Sequence, residues 1–214
     1  MKLARQARIW IYSMTKTPTT DSSIIDARLF GSLARLWIAE PDESVLQNLN
    51  EAATQETWQS LGGFVPSGET DSVVDDLGSQ YCACFLGPKG HLPPHQSVVE
   101  QSHFQGECLS SLNRFVEVVG LPDGELFKAC HSMPDHIGIL LGMMQIVCQA
   151  ESDSLPEEQS QIAEIKRSFF DRHLAWILNY CDVAASRTSS DFYRGLFAVT
   201  QAWLKDVQQR MTES

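Results

Sequence analysis

Pro134-Asp135-His136-Ile137-Gly138-Ile139-Leu140-Leu141-Gly142-Met143-Met144 is the stretch on which the reading of this chain turns. Its apolar residues at 137, 140, 141 and 144 repeat with the spacing of one face of an α-helix. Pro134 suits a first helical position, because its missing N–H would have no intrahelical partner there. Asp135 then falls in the first turn, where the positive end of the helix dipole favours a carboxylate. The spacing predicts a helix from Pro134 to about Ala150 with an acid and an imidazole at its mouth. Two roles are open to the pair: Asp135 starts the helix and His136 is a satisfied surface imidazole, or both are placed to receive a ligand.

The same period extends in both directions. Ile25, Leu29, Leu33, Leu36 and Trp37 form a stripe over 22–39 that Glu40-Pro41 stops. A second helix from about Asp42 carries Val45, Leu46, Leu49, Ala53 and Trp58 and ends at Gly62-Gly63. A third runs from about Thr70 to Leu86 through Val73, Leu77, Tyr81 and Phe85, and a fourth is marked by Leu109, Leu112, Phe115, Val116 and Val119. Beyond the opening stretch, a helix with acids at its start, Pro156-Glu157-Glu158, carries Ile162, Ile165, Phe169, Trp176, Ile177 and Tyr180. The last, from about Ser190, carries Phe192, Tyr193, Leu196, Val199, Trp203, Leu204 and Val207. No segment alternates like a strand between turns. The expectation is an all-α protein, a bundle of about seven or more helices.

Two stretches break the rhythm. Gly87 to Val98, rich in proline and glycine, reads as a loop, and Gly120 to Met133, with the turn signal Leu121-Pro122-Asp123-Gly124, reads as a hinge. The expected organisation is an N-terminal extension over 1–20, a helical subdomain over 21–120, a hinge over 121–133 and a second helical subdomain over 134–214.

Composition narrows the function. The chain of 214 residues is 43% hydrophobic with a net charge of −11, which argues against a surface for nucleic acid and suits a cationic partner. Four of the basic residues, Lys2, Arg5, Arg8 and Lys16, fall in the first twenty positions, so the remainder is more acidic still. A negative surface also serves solubility with no partner at all. Ile9-Trp10-Ile11-Tyr12 is too short for a secretory signal, and no run approaches the ~20 apolar residues that span a bilayer. A cytoplasmic protein without membrane insertion is expected, its six cysteines free thiols.

Enzyme chemistry finds weak support. Cys82, Cys84, His91, His95, His103 and Cys108 crowd one window, but Cys82-x-Cys84 lacks zinc-site spacing, and residues two apart on a helix diverge by about 200°. Glu100-x-x-His103 is half of a di-iron pattern, and Gly87-Pro88-Lys89-Gly90 is no P-loop. Cys130-His131 before Asp135-His136 offers nucleophile and base without evidence of their meeting in space. No metal, catalytic residue or cofactor is expected. The alternative kept open is a metal- or thiol-dependent helical enzyme using Cys82, Cys84, His91 and His95. What remains is a binding surface, in which aromatic Tyr81 and Phe85, a proline-rich loop, and an acid and imidazole at a helix mouth supply apolar pockets and negative charge for a basic peptide.

At these residues the chain resembles the TorD/DmsD family of chaperones for molybdenum-containing reductases. Tyr81-x-x-x-Phe85-x-Gly87 followed by Pro93-Pro94-x-x-Ser97-Val98 is similar to one family signature, and Pro134-Asp135-His136-Ile137-Gly138 to another. Phe169, His173, Leu174 and Ile177 resemble a third, F-x-x-x-H-L-x-x-W, with Trp176 one place early. His95 and Gln96 stand where the family often has an aromatic residue and a glutamate, and Ser132-Met133 where an acid is common. The resemblance implies a non-enzymatic maturation chaperone that holds an apo-molybdoreductase by its twin-arginine signal peptide in the cytoplasm until the molybdopterin cofactor is inserted. It further implies weak guanine nucleotide binding in some members and a monomer or domain-swapped homodimer. The client-binding residues it points to are Tyr81, Phe85, Gly87, Pro93, Pro94, His95, Asp135 and His136.

Overall fold

The computed structural model describes residues 22–87, 91–104, 106–119 and 133–213. The expected extension over 1–20 and all but the last residue of the expected hinge lie outside the described residues. Within them the chain is all-α. In order come α1 (Ser22–Ile38), α2 (Glu43–Asn50), α3 (Ala52–Ser60), α4 (Thr70–Tyr81), α5 (Gln96–Gln101) and α6 (Cys108–Val119). After these follow α7 (Ile137–Asp153), α8 (Pro156–Phe169), α9 (Ala175–Arg187) and α10 (Asp191–Glu213). Two π-helical turns, Cys82–Leu86 and Phe170–Leu174, continue α4 and join α8 to α9.

α7 is the axis of the molecule. Ile137, Ile139, Leu140, Leu141, Met143, Met144, Val147 and Cys148 are all buried, so the helix is apolar on nearly every side, as a central helix must be. α1 lies along it as its principal neighbour. Gly138 makes that approach possible: a Cβ there would stand 2.9 Å from the Ile38 side chain and 3.0 Å from the Ala34 carbonyl. Across α1, Trp37 is fully buried among the rings of Phe85, Tyr180 and Phe197 and donates from Nε1 to Thr200 Oγ1 at 3.0 Å. Burial of a side chain of this size contributes on the order of 2–3 kcal/mol, which ties α1, the first π-turn, α9 and α10 into one core.

Three elements differ from expectation. The single helix expected from Asp42 to Gly62 is two, because Glu51 is extended (φ −62, ψ 129). In an unbroken helix Ala53 would continue the stripe of Val45, Leu46 and Leu49, yet Ala53 is exposed and Thr54, Thr57 and Trp58 are buried. The break rotates the second half to bring them in. The expected loop over 87–98 ends in the short helix α5. Finally, α7 begins at Ile137 and not at Pro134: Pro134 and Asp135 form a turn, and His136 is the N-cap, its Nδ1 accepting from the Gly138 N–H at 3.1 Å.

Candidate functional site

The displaced helix start explains what Asp135 does. Its carboxylate does not cap its own helix but reaches α5, where Oδ2 accepts from the Ser97 N–H at 2.9 Å and from Ser97 Oγ at 2.5 Å. Oδ1 meets His95 Nδ1 at 3.2 Å. The acid therefore satisfies the open N-terminal N–H of a helix forty residues earlier in the chain. Backbone bonds reinforce the join: the Gln96 N–H donates to the Asp135 carbonyl at 3.1 Å and the Ile137 N–H to the Pro94 carbonyl at 2.9 Å, an antiparallel bridge between His95 and His136. The two signature segments are thus clamped directly to one another.

Electrostatics follow from this geometry. Burial alone would raise the Asp135 pKa, but the bonds from His95 and from the Ser97 hydroxyl and N–H outweigh it and bring it to about 2. Burial, with the His95 charge beside it, brings His136 down to about 3, so it is a neutral imidazole whose acceptor Nδ1 leaves the proton on Nε2.

A second layer holds α5 from behind. Gln96 donates from its amide to the Arg172 carbonyl at 2.8 Å and accepts from His173 Nδ1 at 2.9 Å, while His173 Nε2 takes a bond from Ser111 Oγ at 3.0 Å. Burial, and then the Arg172 charge, lowers the His173 pKa to about 4, so this ring too is neutral. The loop ahead of α5 is pinned by Tyr180, whose hydroxyl donates to the Leu92 carbonyl at 2.6 Å.

On its outer side the clamp faces an open groove of about 630 Å³, a size that accepts a peptide side chain or two. Of the residues the sequence pointed to, Tyr81, Phe85, Pro94, His95 and His136 line it. Asp135, Gly87 and Pro93 are not among its lining; Asp135 is fully buried, its oxygens engaged by protein donors. The opposite wall comes from the end of α1 and the start of α2: Arg35, Ile38, Glu40, Pro41 and Asp42. That wall was read in the sequence only as a helix stop. Arg35 donates from Nη2 to Asp42 Oδ2 at 2.5 Å and from Nη1 to the Glu40 carbonyl at 3.2 Å.

The cysteine and histidine cluster does not converge. Cys82 Sγ turns to Glu40 at 3.6 Å, Cys84 Sγ to Thr188 Oγ1 at 3.2 Å, and His95 to Asp135. Among the described residues no three His, Cys, Asp or Glu side chains are grouped to hold a metal ion, and the five described cysteines are free. Burial raises the pKa of Cys82, Cys84 and Cys108, in the last case to about 11, the opposite of an activated thiolate.

Comparison with known proteins shows what the chain is similar to. A family profile described as "Nitrate reductase delta subunit" matches residues 46–182, a span that includes both clamped segments and the second π-turn. Two curated relatives, each named "Chaperone protein TorD", come from Shewanella sp. strains ANA-3 and MR-4. Each is 24% identical to this chain, over 208 and 207 residues respectively, covering 88% of this chain and 94% of the relative. Among the described residues no helix is long and apolar enough to cross a membrane.

Proposed function

The chain belongs to the nitrate reductase delta subunit family, and from this we propose that it is a maturation chaperone for a molybdenum-containing reductase, a binding protein and not a catalyst. The named relatives, matched along nearly their whole length, support the chaperone reading.

We propose further that the groove between the clamp and the α1–α2 corner holds the client's twin-arginine signal peptide in the cytoplasm until the molybdopterin cofactor is in place. The observation that carries this is the composition of the groove. Its lining combines apolar Ile38, Val74, Phe85 and Pro94 with the carboxylates of Glu40 and of Asp42, the latter paired with Arg35, in a protein of net charge −11. An extended segment with basic and apolar side chains complements such a surface. In this reading Asp135 does not touch the client; it positions Pro94, His95 and His136, which do.

Calorimetric titration with a synthetic twin-arginine peptide tests the proposal. Saturable 1:1 binding that weakens as salt rises is expected. Absence of binding, together with a co-expressed reductase that acquires its cofactor no better with the protein than without it, would refute it.

A further inference from the structure

Charge is divided unevenly along this chain. All 27 acidic residues lie after Thr20, together with all but four of the 16 basic ones. Those four, Lys2, Arg5, Arg8 and Lys16, share the first twenty positions with no acid. Among them Arg5-Gln6-Ala7-Arg8-Ile9-Trp10-Ile11-Tyr12 joins two arginines to four large apolar or aromatic side chains, and the threonine-rich stretch from Ser13 to Asp21 connects this octet to α1. The octet lies outside the described residues. Whatever its own conformation, it is covalently held beside an acidic body that attracts it.

The groove between the clamp and the α1–α2 corner is the complementary surface. Among the described residues no lysine or arginine pairs with Glu40, whose carboxylate accepts from the Cys82 thiol at 3.6 Å, while Asp42 is held by Arg35. Leu86 lines the same groove 64% exposed, and Ile38, Val74 and Pro94 add apolar lining. Reach decides whether the octet can arrive there. α1 starts at Ser22, and Ile38 at its other end lines the groove, about 24 Å away at 1.5 Å per residue. About 14 residues lead from Ser22 back to Arg8, a length that spans about 46 Å when extended and averages about 20 Å as a coil. Such a tether is long enough to reach the groove and short enough to keep a high effective concentration there. An anionic membrane is the other surface that suits a basic aromatic segment, but it would repel the acidic body joined to it.

Resting on the reading of this groove as the client's seat, we propose that the octet from Arg5 to Tyr12 occupies the same groove in the free protein, as an internal stand-in that the client must displace. Its arginines meet the uncompensated acid and its apolar side chains the exposed apolar lining. Client and octet then exclude one another, and weakly binding basic or apolar segments of other proteins are turned away. The octet lowers the apparent affinity for a client by roughly the ratio of its effective concentration to its own Kd. An effective concentration of about 1 mM against a Kd of about 0.1 mM gives about tenfold.

The test compares the full chain with its full-length variant Trp10→Ser/Ile11→Ser, which leaves the net charge unchanged, and circular dichroism confirms equal helicity. Two probes are titrated: a synthetic peptide of residues 3–14 and a twin-arginine peptide. The variant is expected to bind the 3–14 peptide 1:1, and to bind both probes about fivefold more tightly than the unmodified chain, because its own octet no longer holds the groove. Adding Glu40→Lys to the variant is expected to weaken the 3–14 peptide at least fivefold, which assigns that peptide to the groove. Equal affinity of the two chains for the 3–14 peptide, or binding to the variant that Glu40→Lys leaves unchanged, would overturn the proposal. So would sedimentation of the unmodified chain, but not the variant, with vesicles of anionic phospholipid, which would assign the octet to a membrane surface. If the 3–14 peptide behaves as expected while the twin-arginine peptide binds neither chain, occupancy of the groove by the octet stands and the client reading alone falls.

Discussion

Among the described residues two aspartates are buried almost completely, Asp26 on α1 and Asp135 ahead of α7, and they are satisfied in opposite ways. Asp26 sits in an ion-pair network: Arg210 grips it with both Nη atoms at 2.9 Å, and Lys166 approaches at 3.4 Å while holding Glu151 at 2.7 Å. Asp206 bonds Arg210 Nε at 2.9 Å, and the guanidinium lies over the Trp203 ring. Asp135 meets no lysine or arginine among the described residues. It is held by a helix-end N–H, a hydroxyl and an imidazole. The first arrangement fastens α1, α8 and α10 by charge, remote from the groove. The second uses short directed bonds that fix the groove wall to within the tolerance of a hydrogen bond. One aspartate maintains the fold and the other shapes the site.

The largest expected effect breaks the first arrangement. Asp26→Ala leaves Lys166 and Arg210 largely buried without their shared acceptor and is expected to cost about 3–5 kcal/mol, read as a fall in the denaturant midpoint. Peptide affinity of the fraction that remains folded should not change. Asp135→Asn is expected to cost less, about 1–3 kcal/mol, because an amide oxygen in the place of Oδ2 still accepts from the Ser97 N–H and hydroxyl, and only the bond to His95 is lost, where the amide presents a donor. In contrast to Asp26→Ala it should also weaken peptide binding, since Pro94 and His95 lose their register. Equal loss of affinity in both variants would erase the distinction between the two aspartates.

Acid should act on the Asp135 side first. His136 and His173 are neutral in the fold with pKa values of about 3 and about 4, whereas in the unfolded chain each titrates near the ordinary imidazole value of 6.5. Between pH 6.5 and 4 the unfolded state binds more protons, so stability falls as pH falls, by about 1.4 kcal/mol per pH unit for each proton taken up. His173→Gln should flatten the slope of unfolding free energy against pH by about one proton over this window. The Asp135 contribution has the same sign but a lower window: present above the ordinary carboxyl value of 3.8, it is lost as pH drops toward about 2. Ser97→Ala is the mildest change, about 1 kcal/mol for the lost hydroxyl bond, with the backbone bond to Asp135 retained.

Much of the architecture was legible because long stripes such as Ile25-Leu29-Leu33-Leu36 bury a continuous face, and period alone reveals them. What was not legible depended on partners distant in sequence. Pro134-Asp135 satisfies the rules for a helix start and for a turn equally well, and Pro94 and Ser97 decide between them. The break at Glu51 carries no Gly or Pro; it follows from burying Thr54 and Trp58 against the rest of the fold. Gly138 stood out as part of a motif, but its physical reason is the backbone of Ala34 and the side chain of Ile38. Of the residues proposed from the sequence, Tyr81, Phe85, Pro94, His95 and His136 line one groove. Glu40 on its wall was not legible because an exposed acid before a proline has no distinguishing local pattern, nor was the role of Asp26, because nothing on α1 announces the cations of α8 and α10.

Hydrogen exchange at the amides of Gln96, Ser97 and Ile137, with and without a twin-arginine peptide, tests the central claim most directly. Their bonds to Asp135 and Pro94 should already protect them in the free protein, and saturating peptide should slow their exchange further while amides around Asp26 and Arg210 change little. Rapid exchange at these three amides in the free protein, or peptide protection confined to the Asp26 end, would contradict the account.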